Sequence, residues 1–209
     1  LDVEEALRRA GELGRRDRRT VLGVTGPPGA GKSTLAEAVV DAVPGSVLVG
    51  MDGFHLAHSA LADLGLVEVK GAPRTFDAAG YVALLRRIRE QRGETVWAPQ
   101  FRREVEDAIA GAVPVRPGTR LVVTEGNYLL LPDEPWCRVP ELLDEVWYVD
   151  AAEELRRRRL AERHRRYGRS EQEAWARTTG SDEANAELVR ATRGRADVVV
   201  GQVPPTLAE

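Results

Sequence analysis

The stretch VLGVTGPPGAGKSTLAEAVV, at residues 21–40, constrains the fold more than any other feature of this 209-residue chain. An apolar, β-branched run leads into a glycine- and proline-rich stretch, and a pattern typical of a helix begins directly after it. The segment from Gly26 to Ser33 fits GxxxxGK(S/T). Between a buried strand and a helix, such a loop turns backbone N–H groups towards one point and binds phosphate there. The sequence therefore predicts a polyphosphate site on an α/β fold.

Lys32 is the residue of this loop that best indicates its chemistry. The chain has only two lysines among 30 basic residues, and one of them is at position 32. A compact ammonium on a flexible stem suits contact with β- and γ-phosphates, whereas a planar guanidinium fits such a cradle less well. We expect Lys32 to hold the phosphates of ATP and the Ser33 hydroxyl to bind Mg²⁺. The residues expected to bind the nucleotide here are Gly26, Pro27, Pro28, Gly29, Ala30, Gly31, Lys32, Ser33 and Thr34.

Length and composition restrict the class of protein. A chain of 209 residues suffices for one sizeable core, so we expect a single domain over residues 1–209. Apolar runs stay well below the roughly 20 residues of a membrane-spanning helix, and the N-terminus lacks a basic leader before an apolar core. We therefore expect a cytoplasmic protein with no membrane partner. The net charge of −3 argues against general attraction to nucleic acid. The single cysteine, Cys137, excludes an internal disulfide and favours a small packed side chain.

Short apolar runs alternate with helical patterns along most of the chain. After the first run come SVLVGMD, RLVVTEG, DEVWYVD and ADVVVG. Helical periodicity occurs near the N-terminus and over residues 32–43, 81–91, 152–166 and 182–193. This order predicts about five parallel strands with helices on both faces of the sheet. The segment TVWAPQFRREVEDAIAGAVPVRP interrupts the alternation, and its turn residues predict a small hairpin at the sheet edge.

Two acidic residues stand at the ends of predicted strands. Asp52 ends SVLVGMD and Glu125 ends RLVVTE. Ligands of an open parallel sheet lie beyond the carboxyl ends of its strands, where the glycine loop also lies. We expect Asp52 to accept the proton of an attacking hydroxyl and Glu125 to bind Mg²⁺, although either acid could instead cap a turn. His55 and His58 have helical i, i+3 spacing without further metal-ligand spacing, which favours a solvent-facing or substrate-wall role over a metal site.

The segment AAEELRRRRLAERHRRYGRS is the densest basic stretch of the chain. On a helix, Arg159, Arg163 and Arg166 form one cationic stripe. Such a stripe on a mobile lid would cover a transferring phosphoryl group and exclude water. The alternative is a solvated helix whose arginines pair with neighbouring glutamates. Nucleic-acid binding is disfavoured, because no array of stacking aromatic residues accompanies these arginines.

Taken in order, the glycine loop, VGMDGFHL, KGAPRTFD, TEGNYLLL and the arginine-rich segment resemble the uridine kinase, pantothenate kinase and phosphoribulokinase superfamily of P-loop kinases. The resemblance covers nearly the whole chain and is greatest to the nucleoside/nucleotide kinase-like branch, which includes proteins labelled as fructose-transport kinases. It implies a P-loop NTPase fold and an ATP- and Mg²⁺-dependent kinase with a small-molecule hydroxyl acceptor. It further implies an arginine-rich lid at about residues 152–170 and an acceptor-side lobe at about residues 54–115.

The resemblance also implies roles for single residues. Asp52 would contact the acceptor hydroxyl, in agreement with its expected role as base. Arg163 would act in catalysis from the lid, Arg159 would bind the nucleotide, and Asp77 would border the acceptor pocket. The other residues expected to bind the acceptor are His55, Lys70, Arg74, Phe76, Phe101 and Tyr128.

The sequence leaves the acceptor open. Related kinases commonly show an aromatic residue, an acid and a basic residue after AP, whereas PQFRRE has Arg102 in the acidic place. That change would accommodate a more anionic acceptor, and pantothenate, a nucleoside, a sugar or another hydroxyl metabolite all fit. The chain lacks NKxD, which disfavours a GTPase. A nucleotide-binding regulator or slow ATPase without an acceptor is the alternative function, and a homodimer is also open.

Overall fold

A parallel sheet forms the centre of the protein in the computed structural model, which describes residues 1–91 and 93–204. Its strands are β1 (Thr20–Thr25), β2 (Val47–Gly50), β5 (Leu121–Glu125), β6 (Glu145–Val149) and β7 (Val198–Val200). All neighbours run parallel, in the order β2-β5-β1-β6-β7. The predicted α/β fold with five parallel strands is confirmed. Three adjacent strands, β2, β5 and β1, bring the two acids and the glycine loop to the same edge.

The segment that interrupts the alternation forms a separate antiparallel hairpin. Its strands are β3 (Val96–Arg102) and β4 (Asp107–Val115), with an irregularity in register between Ala98 and Gln100. Val96, Ala98 and Val115 are fully buried and join the main core. The other end of the hairpin projects from the sheet, so its base is anchored by packing while its tip reaches the cavity described below. The predicted edge hairpin is confirmed.

Helices cover both faces of the central sheet. They are α1 (Val3–Gly14), α2 (Lys32–Ala42), α3 (His58–Asp63), α4 (Ala78–Glu90), α5 (Glu153–Arg166), α6 (Glu171–Thr179) and α7 (Ser181–Arg190). Side chains alternate along β1, so that Val21 packs into the core containing α4, whereas Leu22 and Val24 pack into the core containing α1 and α2. All six residues of β1 are buried, as expected for the middle strand of a parallel sheet.

The helices agree with the sequence analysis in position but differ in extent. Helix α4 begins at Ala78, three residues before the predicted start, because the Asp77 side chain accepts a hydrogen bond from the Gly80 N–H at 2.8 Å and caps the helix. Helices α3 and α6 were not predicted. Helix α6 has a capping box between Ser170 and Glu173, a local signal that its sequence does contain.

The fold also bears on the expectations for Cys137 and for membrane-spanning helices. Cys137 lies in a short 3-10 turn, Trp136–Arg138, and is only partly buried rather than packed in the core. The described part of the chain contains no helix with the length and apolar character needed to cross a membrane.

Candidate active site

The glycine-rich loop of residues 26–31 connects the end of β1 to the start of α2. Gly29 has a φ of 81°, and an added Cβ would lie 2.7 Å from the carbonyl oxygen of Arg156, so only glycine fits without moving α5. Gly31 precedes the helix at a φ of 103° and provides no side-chain cap. The first N–H groups of α2 therefore lack a capping side chain, an arrangement that a bound phosphate completes.

Lys32 opens α2 and is 8% exposed. Its Nζ donates a hydrogen bond to the carbonyl oxygen of Pro27, 3.1 Å away. Burial lowers the pKa of the ammonium to about 8, because desolvation outweighs the attraction of Glu125 and Asp52. The loop thus holds its own lysine in place, and an anionic ligand beside it would favour the charged form.

The two acids lie side by side at the ends of neighbouring strands. Gly50 and Glu125 are paired in the register of β2 and β5, and the 3-10 turn Met51–Phe54 then carries Asp52. Burial and, after it, the nearby charge of Asp52 raise the pKa of Glu125 to about 7, against the opposing charges of Lys32 and Arg103. The Asp52 side chain is 39% exposed. One carboxyl is therefore enclosed and the other is open to a ligand.

A cavity of about 600 Å³ lies between these strand ends, the hairpin and the helices α5 to α7. A second cavity of about 260 Å³ adjoins it. Five residues face both cavities, namely Ser33, Asp52, Phe101, Arg103 and Glu125. The larger cavity also contains the other residues that sequence reasoning placed together, namely Pro28, Lys32, His55, His58, Lys70, Phe76 and Arg163. Both lysines of the chain are therefore in its wall.

His55 forms an aromatic wall of the larger cavity. Its ring stacks on Phe76 with a centroid distance of 3.9 Å and lies 5.2 Å from the ring of Phe101. Backbone pairing holds this wall, because the N–H of Leu56 donates to the carbonyl of Thr75 at 3.0 Å. Nε2 of His55 lies 3.9 Å from Oδ1 of Asp52. Burial lowers the pKa of His55 despite this carboxylate, so the ring is neutral at pH 7.

Ten residues that the sequence analysis assigned to the nucleotide or the acceptor line neither cavity. Six belong to the glycine loop and the start of α2, namely Gly26, Pro27, Gly29, Ala30, Gly31 and Thr34, and the other four are described next. Tyr128 is fully buried, and its hydroxyl donates to the carbonyl oxygen of Gly71, so it supports the wall from behind. Arg74 is exposed and lies outside both cavities, while Asp77 caps α4. Arg159 donates to the carbonyl oxygen of Val203 at 2.7 Å and to that of Ala30 in the glycine loop at 3.4 Å.

The lid side of the cavity contains more basic residues than the predicted stripe. Arg163 is joined there by Arg169 and Arg177, whereas Arg166 is exposed. The stripe failed at Arg166 because α5 ends at that residue and the following turn directs the chain into α6. Other cavity residues that the sequence analysis missed are Val67, Gly71, Arg103, Glu106, Gly126, Asn127, His164, Tyr167, Gly168, Asp182 and Asn185.

A buried arginine attaches the lid to the glycine loop. Arg156 is fully buried and donates to the carbonyl oxygen of Pro28 at 3.3 Å and to Glu153 at 2.8 Å. It also pairs with Glu183 of α7. Arg190 joins the same network, with 2.6 Å to Glu153 and 2.9 Å to Glu183. The glutamate pairing that the sequence left open is thus present here, at the base of the lid.

Comparison with known proteins agrees with this geometry. The sequence profile of the phosphoribulokinase / uridine kinase family matches residues 21–209. The chain belongs to this family. A Schizosaccharomyces pombe protein named "Putative uridine kinase" is 33% identical over 212 residues, covering 96% of this chain and 90% of the relative. The pantothenate kinase of Paenarthrobacter aurescens is 30% identical over 225 residues, covering 90% of this chain and 69% of the relative.

A solved structure of a kinase from Silicibacter sp. is also similar in fold. This crystal structure, described as a "putative fructose transport system kinase", superposes with a TM-score of 0.86 and 34% identity. The match covers 95% of this chain and 98% of the other. Family and fold together identify a small-molecule kinase with a P-loop nucleotide site.

Kinases of this family use ATP and usually Mg²⁺, and the residues of the site suit both. The glycine loop, buried Lys32 and an uncapped helix start can receive phosphates. Within residues 1–91 and 93–204, no group of three His, Cys, Asp or Glu side chains is arranged to hold a metal ion alone. Magnesium is typically held by one or two carboxylates or hydroxyls together with substrate phosphates, and Ser33 and Glu125 provide such a pair beside the loop.

Proposed function

We propose that this kinase transfers the γ-phosphoryl group of ATP, with Mg²⁺, to a hydroxyl group of a small metabolite. Pantothenate-, nucleoside- and sugar-like compounds define the range of acceptors. The observation that carries the proposal is the convergence of Lys32, Ser33, Asp52 and Glu125 on one cavity. Pro28 of the glycine loop and the aromatic wall formed by His55, with Phe76 and Phe101, line the same cavity.

Lys32 and the loop amides would hold the triphosphate, and Ser33 and Glu125 would hold Mg²⁺. When bound, the metal neutralises charge on the phosphate oxygens. The pKa of Glu125, raised to about 7, would fall beside a divalent cation, so the ion would keep this buried carboxyl charged. Arg163 on the lid would add positive charge over the transferring group and help to exclude water.

Asp52 would act as the general base. Its carboxylate is 39% exposed, lines the cavity and lies 3.9 Å from Nε2 of His55 in the aromatic wall. The acceptor oxygen forms a bond to the γ-phosphorus while the bond to the bridging oxygen of ADP breaks, and Asp52 takes the hydroxyl proton. The lowered pKa of His55 makes its neutral ring a weaker base than an ordinary imidazole.

The arrangement supports one kinase domain over the chain, with a lid at about residues 152–170 and an acceptor-side lobe at about residues 54–115. Residues of both segments line the larger cavity, and Arg103 of the lobe lies 5.6 Å from the ring centre of Tyr167 on the lid. Closing them on each other would enclose the reacting groups, which favours transfer to the acceptor over transfer to water.

Substitution of Asp52 by Asn tests the proposal. General-base catalysis contributes about 10²- to 10⁴-fold, so Asp52→Asn should lower kcat by that factor and leave the Kd for ATP within about twofold. The measurement is ADP release with a panel of hydroxyl compounds, corrected for release in water. Asp63→Asn is the matched control, because this substitution makes the same chemical change at an exposed position of α3.

Two results would contradict the proposal in different ways. Near-normal turnover by Asp52→Asn would remove Asp52 from the mechanism. If no hydroxyl compound accelerates ADP release by the unaltered enzyme, the nucleotide-binding regulator or slow ATPase becomes the better account.

A further inference from the structure

Arg103 occupies the junction between the two cavities. It stands at the hairpin tip, directly after β3, and is one of the five residues that face both spaces. Its neighbour Arg102 is exposed and pairs in register with Asp107 across the hairpin. The strand ends at Arg102, and the turn that follows presents Arg102 to solvent and Arg103 to the cavity. The basic residue that reaches the site is therefore Arg103.

The wall around Arg103 carries an excess of positive charge. Lys70 lies 5.3 Å from the centre of the Phe101 ring, on the same wall as His55. After burial, the charges of Lys70 and Arg103 lower the pKa of His55, against the opposing effects of Asp52 and Glu106. Both cations therefore act on the same small region of the site.

The carboxylates nearby do not balance these two cations. Glu106 pairs with Lys70 at 3.6 Å, but its side chain is 63% exposed, and Asp52 and Glu125 have roles in the reaction proposed above. Among residues 1–91 and 93–204, no carboxylate lies at ion-pair distance from Arg103. Its guanidinium instead lies 5.6 Å from the ring centre of Tyr167 on the lid. A partly buried guanidinium at a binding surface favours an anionic ligand.

We propose that Arg103 binds an anionic group, carboxylate or phosphate, carried by the acceptor. The proposal rests on the kinase function given above and narrows its substrate class. A guanidinium matches the planar carboxylate and the phosphate through paired N–H donors, which fixes the orientation of the acceptor as well as its affinity. Lys70 provides a second cation on the same wall of the cavity. The nucleotide phosphates have other expected partners, since the amides of the glycine loop and Lys32 lie at the start of α2.

The test compares acceptors that differ only in the anionic group. The pairs are D-glycerate with glycerol, pantothenate with pantothenyl alcohol, and ribose 5-phosphate with ribose. ADP release above the water background and the mass of the product are measured for each. We expect the anionic member of at least one pair to have a kcat/KM at least about 10-fold higher, in line with a hydrogen bond to a charged group. The pairs that show this preference indicate whether the enzyme recognises a carboxylate or a phosphate.

Arg103→Gln should abolish this preference. The KM for the anionic acceptor should rise at least about 10-fold, while the KM for ATP stays within about twofold. Arg102→Gln, the same substitution one residue earlier on the exposed side, should behave as the unaltered enzyme. Arg103→Lys should recover part of the lost affinity because it keeps the charge without the planar fork. Thermal unfolding of each variant checks that the hairpin remains folded.

Three results would overturn the proposal. Equal use of charged and neutral acceptors would show that no anion is recognised. If Arg103→Gln lowered kcat for both members of a pair and left their KM unchanged, Arg103 would act on the phosphoryl group instead. In both cases phosphoryl transfer is observed, so the kinase function stands and only the acceptor class fails. If no hydroxyl compound were phosphorylated, both proposals would fall together.

Discussion

Replacing Glu183 by Gln tests whether the ion-pair network at the lid base holds the lid to the rest of the protein. The Glu183 carboxylate, 15% exposed, accepts hydrogen bonds from Arg157 at 3.1 Å and Arg190 at 2.9 Å and also pairs with Arg156. Arg156 in turn donates to the carbonyl oxygen of Pro28 in the glycine loop. Removing this one charge leaves the fully buried Arg156 with Glu153 alone.

The structure sets the size of the expected effect. Burial by itself would raise the pKa of Glu183, but the hydrogen bonds from Arg157, Arg190 and Arg156 lower it from 4.5 to about 2. A difference from 4.5 to about 2 corresponds to about 3 kcal/mol of stability at pH 7. A loss of this size should lower the Tm by about 6 to 12 °C in a domain of about 200 residues.

The pH dependence gives an independent check with a definite sign. Because the pKa of Glu183 is depressed in the folded state, its contribution is fully present above pH 4.5 and is lost as the pH falls towards 2. The difference in the free energy of unfolding between the unaltered protein and Glu183→Gln should therefore be smaller at pH 4 than at pH 7. Urea unfolding at the two pH values measures it.

The matched control is Glu154→Gln, at an exposed position of the lid. Glu154 is 88% exposed and pairs with Arg158 at 3.3 Å, so its removal should change stability by less than about 0.5 kcal/mol. If the two variants had the same Tm, or if the Glu183 effect did not diminish at low pH, the network would not stabilise the lid in the manner argued. Retained Tm with weaker ATP binding would instead indicate that Glu183 acts only on the loop.

Two further predictions concern the site itself. Gly29→Ala should lower the free energy of unfolding by more than the about 1–2 kcal/mol that a left-handed backbone conformation costs alanine, because its Cβ would lie 2.7 Å from the Arg156 carbonyl oxygen. Gly45→Ala, at a similar φ of 79° with nothing within 4 Å, should cost only that strain, and equal losses in thermal unfolding would refute the packing argument. Glu125→Gln should raise the Tm at pH 8 while lowering kcat, since the pKa of Glu125 is raised to about 7 and its ionisation opposes folding as the pH rises above 4.5. The gain should diminish towards pH 5, and a lower Tm at pH 8 would contradict it.

The sequence was sufficient for those parts of the protein that depend on local pattern. The glycine loop was predictable because its spacing and its position after an apolar run are both local, and the acids at the ends of β2 and β5 follow from the geometry of a parallel sheet. The capping box of Ser170 and Glu173 was a local signal as well, although it was not used to predict α6.

The remaining errors have a common physical origin, which is the direction of a side chain relative to distant elements. Arg102 and Arg103 are neighbours with similar chemistry, and only the register of the hairpin decides which of them faces the cavity. Tyr128 lies close to the site, but packing against Trp136 and Phe76 turns its hydroxyl towards Gly71. Such choices depend on contacts between segments far apart in sequence, which composition and periodicity do not encode.

The energetics of the site and of its surroundings run in opposite directions. Lys32 and Glu125 are both shifted towards neutrality by burial, so the groups that would hold phosphate and metal cost stability before a ligand arrives. The pKa of Glu183, which lies between the cavity residues Asp182 and Asn185 in α7, is shifted the other way, and Glu183 stabilises the base of the lid. The phosphates would give Lys32 a partner of opposite charge, and the metal would do the same for Glu125. Binding should therefore stabilise the protein most at the site where burial of these groups destabilises the unliganded fold.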